Sequence, residues 1–140
     1  MRSHRALALP AALAGALALA GCGSLSRDEL KREVKSLQAI AVEGRILANE
    51  STRGKSHTPF VRVHASELAD DADQSAQKLS DATPAHGLQG SVQRAVNIAS
   101  AESQALGTLE VAPYRSRNSR KAARELLQLS HAAERLADKL

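Results

Sequence analysis

The stretch SRKAARELLQLSHAAERLADKL, Ser119 to Leu140, decides the fold class. In it Ala122, Leu126, Leu129, Ala133, Leu136 and Leu140 recur at intervals of three and four. Apolar residues at that spacing share one face of an α-helix, whereas a half-buried strand alternates every second residue. Arg, Lys, Glu and Gln fill most other positions, and these are strong helix formers that suit a solvated face. His131 falls opposite the apolar line.

Three upstream segments repeat the pattern. The first, from about Arg27 to Asn49, aligns Leu30, Val34, Leu37, Ala41, Gly44 and Ala48, and Ser26 with Glu29 forms a capping-box signature at its start. The second has Thr58 as its expected N-cap and Pro59 in the first helical position, and aligns Val61, Ala65, Leu68, Ala72 and Leu79. The third, from about Gly87 to Glu110, aligns Leu88, Val92, Ala95, Ala99 and Leu106. Segments of roughly 22 to 24 residues give rods of about 33 to 36 Å, matched in length. Their connectors hold the breakers: Gly54, Ser56 and His57; Thr83, Pro84 and Gly87; Pro113 and Asn118. Short connectors force antiparallel neighbours, so residues 27–140 are expected to form an all-α, up-down-up-down four-helix bundle. The alternative is a pair of helical hairpins that completes its core by dimerising.

Composition agrees with this expectation. Phe60 and Tyr114 are the only aromatic residues and tryptophan is absent, which disfavours β-sandwiches and readers that stack nucleic-acid bases. Many core-line positions are alanine, which lets helices approach closely but buries little area per residue. Gly44 in mid-helix costs up to about 1 kcal/mol relative to alanine, a cost that a close helix crossing, or a small pocket beside it, would explain.

No catalytic constellation emerges, so the chain is not expected to be an enzyme. A nucleophile elbow of the Gly-x-Ser-x-Gly type is absent. Gly54, Lys55 and Ser56 match the end of a phosphate-binding loop, but Asn49 stands where that loop needs its first glycine. Bundles that hold di-iron centres use Glu-x-x-His pairs, and none occurs here. His64 and His131 would differ in height by roughly 10 Å in an up-down bundle, too far to share one ion. No metal or cofactor is expected.

The amino terminus carries a different signal. Arg2 and Arg5 precede an apolar core from Ala6 to Ala20, and Leu19, Ala20, Gly21 and Cys22 follow the small-residue pattern of a processing site. The apolar core of about fifteen residues is shorter than the roughly twenty needed to span a bilayer. Residues 1–22 resemble the signal of bacterial lipoproteins. That resemblance implies removal of residues 1–21 and lipidation of Cys22, with residues 22–26 as anchor and short linker. It implies an extracytoplasmic, membrane-attached protein. Gly23 is not the aspartate associated with inner-membrane retention, so a cell with two membranes is expected to place it on the outer one. Cys22 is the only cysteine, so no internal disulfide competes for it.

Loss of Arg2 and Arg5 would lower the net charge from +4 to +2. The remaining charge is unevenly placed. Arg115, Arg117, Arg120, Lys121 and Arg124 come close together with no acid among them, and Arg53 with Lys55 lies in the first connector. An up-down-up-down bundle puts the first and third connectors at one end, so Arg53, Lys55, Arg115, Arg117, Arg120 and Lys121 are expected to converge there. That end lies away from Cys22 and should attract anions. The simpler reading is that these cations offset the carboxyl ends of the first and third helices. Glu67, Asp70, Asp71, Asp73 and Asp81 give the second helix the opposite bias.

Two classes of function remain open. One is an adaptor or binding module for an envelope protein or an anionic wall polymer. The other is a carrier or sensor holding a small ligand or metal in the bundle core, for which Gly44, Ser75 and His64 are the residues to inspect. A cavity lined by convergent polar groups would favour the carrier, and a filled core the adaptor.

Overall fold

The computed structural model describes residues 23–140; the expected signal segment and Cys22 lie outside the described residues. Four helices follow one another: α1 (Arg27–Thr52), α2 (Thr58–Asp81), α3 (Gln89–Val111) and α4 (Ser116–Asp138). They form the expected up-down bundle. Among the described residues the only β-type pairing is an isolated bridge between Leu25 and Pro84.

The first three helices bury the lines their sequences draw, while on α4 Ala122, Leu126, Ala133 and Leu136 are buried but Leu129 is only half-buried and Leu140, also half-buried, lies past the helix end. On α1 the buried set includes Leu30, Val34, Leu37, Ala41, Gly44 and Ala48, stepping by four and three in turn. That average period of 3.5 keeps one stripe facing its neighbours along nearly aligned helices. α1 packs most closely on α4 and α2 on α3, while the α1–α2 seam is more open and α1 lies diagonal to α3. Small residues explain the tight pairs: Ala41, Gly44 and Ala48 line α1, Ala65, Ala69 and Ala72 line α2, and Ala95, Ala99 and Ala105 line α3. Leucines such as Leu37, Leu79, Leu106 and Leu126 fill the space between the pairs.

The helix starts are where the structure corrects the sequence. Ser26 caps α1 as expected: its hydroxyl accepts from the Glu29 amide at 3.3 Å and the Glu29 carboxylate accepts from the Ser26 amide at 2.8 Å. Thr58 is the first residue of α2 rather than its cap; His57 occupies the cap position and no side chain bonds there. α3 begins at Gln89, because Gly87 takes a left-handed turn at φ +81° before it. α4 begins at Ser116, three residues before Ser119, and Asn118 is helical rather than a loop residue. Ser119 faces inward and donates to the carbonyl of Pro113 at 3.1 Å, so its hydroxyl serves the loop rather than the helix end.

Leu25, expected in a linker, belongs to the fold. Its amide donates to Thr83 O at 2.7 Å and its carbonyl accepts from the Ala85 amide at 3.0 Å. The chain therefore enters the bundle pinned to the α2–α3 connector. That is the end opposite the α1–α2 and α3–α4 connectors.

Candidate functional site

The α1–α2 and α3–α4 connectors meet at one end, and buried polar contacts hold them. The core line of α1, continued by three residues from Ala48, reaches Ser51. Its hydroxyl donates to Pro113 O at 2.7 Å and lies 3.4 Å from the Ser119 hydroxyl. Ser119 is fully buried and donates to the same carbonyl. Gly54 makes the turn after α1 at φ +66°, a conformation that side chains rarely adopt.

Around this joint stand the cations read from the sequence. Arg53, Lys55, Arg115, Arg117, Arg120 and Lys121 are all exposed. Lys121 lies 3.7 Å from Glu125; among the described residues no carboxylate pairs with the other five. Arg53 is the C-cap of α1, where a positive charge is favourable. The others are placed differently. Arg115 is the N-cap of α4, and Arg117, Arg120 and Lys121 occupy its first turns, which hold no acid. A cation at the N-cap or in the first turn, as Arg115 and Arg117 are, opposes the helix dipole by about 0.3–1 kcal/mol at low ionic strength, an effect that fades by the second turn, where Arg120 and Lys121 sit. Offsetting carboxyl helix ends therefore accounts for Arg53 but not for the α4 group.

The apolar part of this end falls outside the expected site residues. Phe60, Val111 and Tyr114 are each more than half exposed, and Ile46 and Val63 lie about a turn and a half below the rim. Both aromatic side chains of the protein are thus presented here. Tyr114 carries the Arg115 guanidinium 5.9 Å from its ring centre, and Phe60 stacks on His64 at 5.6 Å.

The three residues marked for a core ligand do not meet. A Cβ at Gly44 would lie 2.6 Å from Leu106 Cδ2 and 3.1 Å from Leu126 Cδ1, so the glycine marks a close crossing and no pocket opens beside it. His64 sits on the α1–α2 seam with Nε2 2.8 Å from Glu43 and Nδ1 3.2 Å from Glu67. The Glu43 and Glu67 hydrogen bonds raise its pKa above the ordinary imidazole range. Ser75, further down that seam, donates to Glu33 at 3.0 Å, and Lys78 bonds the other Glu33 oxygen at 2.6 Å. These polar bridges span the more open pair of helices. Among the described residues no group of three or more His, Cys, Asp or Glu is arranged to hold a metal ion.

One buried group escaped the sequence reading although its signal was present. On α3 the line Ala95, Ala99, Leu106 skips one step, and the missing step is Glu102. Glu102 is fully buried, and neither carboxyl oxygen has a hydrogen-bond partner. Burial pushes its pKa up to about 8, so the side chain is protonated at neutral pH. It precedes Leu106 by one turn on the face that meets Gly44, and so points into the bundle. The same step in the α2 line is Ser75, which finds Glu33. No protein-family model matches the chain, and no curated protein or solved structure matches it either.

Proposed function

We propose that the protein is a non-enzymatic lipoprotein of the cell envelope, anchored through acyl chains on Cys22, whose bundle is an adaptor with a basic docking pole. The observation that carries this reading is the group Arg115, Arg117, Arg120 and Lys121, crowded at the start of α4 against the helix dipole and joined by Arg53 and Lys55. Such a group gains most when an anion neutralises it. The exposed Phe60, Val111 and Tyr114 beside it favour an acidic protein over a bare wall polymer, because aromatic and arginine side chains are the usual anchors of protein interfaces. Leu25 is pinned at the opposite end, which supports an anchor on one side and a partner on the other. α1 alone, with 26 residues, would hold the pole about 39 Å from the anchor.

The test has two arms. Mass spectrometry of protein from membranes should show a diacylglyceryl group on Cys22, and Cys22→Ala should release the protein. Crosslinking in intact cells should capture one partner with the native protein. Arg115→Gln, Arg117→Gln and Arg120→Gln together should abolish that capture with helicity unchanged. Capture that survives both the triple substitution and high salt would overturn the docking role of the pole, since exposed charges are screened beyond about 8 Å at physiological ionic strength.

A further inference from the structure

A groove runs between α3 and α4 on the side of the bundle. Its lower part, near the end where the chain enters, is a cleft of about 340 Å³ with Ile98, Ala132 and Leu136 as an apolar floor. Arg94 on α3, Arg135 on α4 and Lys139 at the C-cap of α4 stand around it. Among the described residues none of these three cations has an ion pair; Arg94 donates to Ser91 Oγ at 3.1 Å. The acids nearest in sequence do not line the cleft, and Glu134 is turned to His131 at 3.4 Å. Above it a second cleft of about 450 Å³ continues the groove, sharing Ala132 and adding Ala101, Ala105 and Leu129, with Gln104, Thr108, Lys121, Glu125 and Gln128 along its edges.

The groove therefore carries unpaired cations at its lower end and an apolar floor between polar rims along its length, the one cation of the upper cleft, Lys121, being paired with Glu125. Alanines at 101, 105 and 132 keep it open where larger residues would close it. From Ile98 to Ala105 the floor extends about 10 Å along α3. A width of one helix–helix groove admits a single alkyl chain, and the cations of the lower end suit one anionic head. We infer that the α3–α4 groove binds a single-chain fatty acid, its carboxylate between Arg94, Arg135 and Lys139 and its alkyl chain along Ile98, Ala132 and Ala105. The head site lies at the end of the bundle opposite the basic pole, and of the pole's cations only Lys121 reaches the groove, so the two sites are tested by different substitutions. Guanidinium groups suit the head because they bond carboxylates through two parallel N–H groups.

The test uses residues 23–140, which contain the whole described core, with dodecanoate and 1-dodecanol as probes in calorimetric titration. Dodecanoate should bind with one-to-one stoichiometry and the alcohol at least about tenfold more weakly, as expected when charge-assisted bonds to the head are lost. Arg94→Gln with Arg135→Gln should weaken dodecanoate by a similar factor without changing the melting temperature. Ala132→Glu, which places a carboxylate at the middle of the groove, should abolish binding; Ala132→Ser, of similar size, should retain it and guards against a folding defect. Equal binding of alcohol and acid, or indifference to the arginine pair, would overturn the inference. So would binding confined to phosphatidylglycerol vesicles with none to dodecanoate, which would make the cations a membrane-surface contact.

Discussion

Ser51 on α1 donates its hydroxyl proton to the carbonyl oxygen of Pro113 across the bundle, at 2.7 Å. The bond joins the last turn of α1 to the α3–α4 connector, 62 residues apart in sequence, and fixes the end of the molecule that carries the cations. Ser119 donates to the same oxygen. Ser51→Ala should therefore lower stability by about 1 kcal/mol, the ordinary net value of one such bond. Amide exchange should speed up in residues 53–56 and 112–116 while the opposite end is unaffected. Uniform acceleration across all four helices would show that the bond does not govern this end in particular.

Glu102 gives the protein an inverted acid response. Folding raises its pKa from 4.5 to about 8, so the folded state keeps a proton that the unfolded chain releases between those values. Its contribution is most favourable below about pH 4.5 and is lost as pH rises toward 8, at up to about 1.4 kcal/mol per pH unit and about 5 kcal/mol in all. Urea unfolding from pH 5 to 9 should show that decline, and Glu102→Gln should flatten it. Glu102→Leu should stabilise the protein at pH 7 by about 3 kcal/mol, because an apolar side chain of similar length removes the unpaired buried carboxyl.

The cations of α4 set stability against binding. Arg117→Gln should raise the unfolding free energy by a few tenths of a kcal/mol and no more than about 1, most at low salt, since it removes a first-turn charge that opposes the helix dipole, and Arg120→Gln, one turn further in, should raise it less. Chemical denaturation at two salt concentrations checks this. A loss of stability would mean that these arginines are held by structural contacts.

Gly44 and its neighbours test the core. Gly44→Ala gains about 1 kcal/mol of helix propensity, yet its methyl would meet Leu106, which is fully buried and has little room to turn. Overpacking of this kind costs about 1–3 kcal/mol, so the variant should be less stable than the native protein by thermal melting. Leu126→Asp, with its charge at the same crossing, should prevent cooperative folding, while exposed Arg62→Ala should shift the melt little.

The sequence by itself determined the four helices, their faces and the antiparallel order, because three-and-four spacing and short connectors are local rules that each segment obeys alone. It also drew lines that pass through Ser51, Ser75, Glu102 and Ser119, positions easily passed over because a polar residue interrupts an apolar pattern. Only the tertiary structure decided what those residues do. Whether a buried hydroxyl or carboxyl finds a partner depends on the helix that comes to lie beside it: Ser75 meets Glu33, Ser51 and Ser119 meet one carbonyl, and Glu102 meets none. The same holds for the surface. Which helices pair closely depends on how alanine faces fit together across the bundle, and that pairing placed the cationic groove between α3 and α4, where no single segment could announce it.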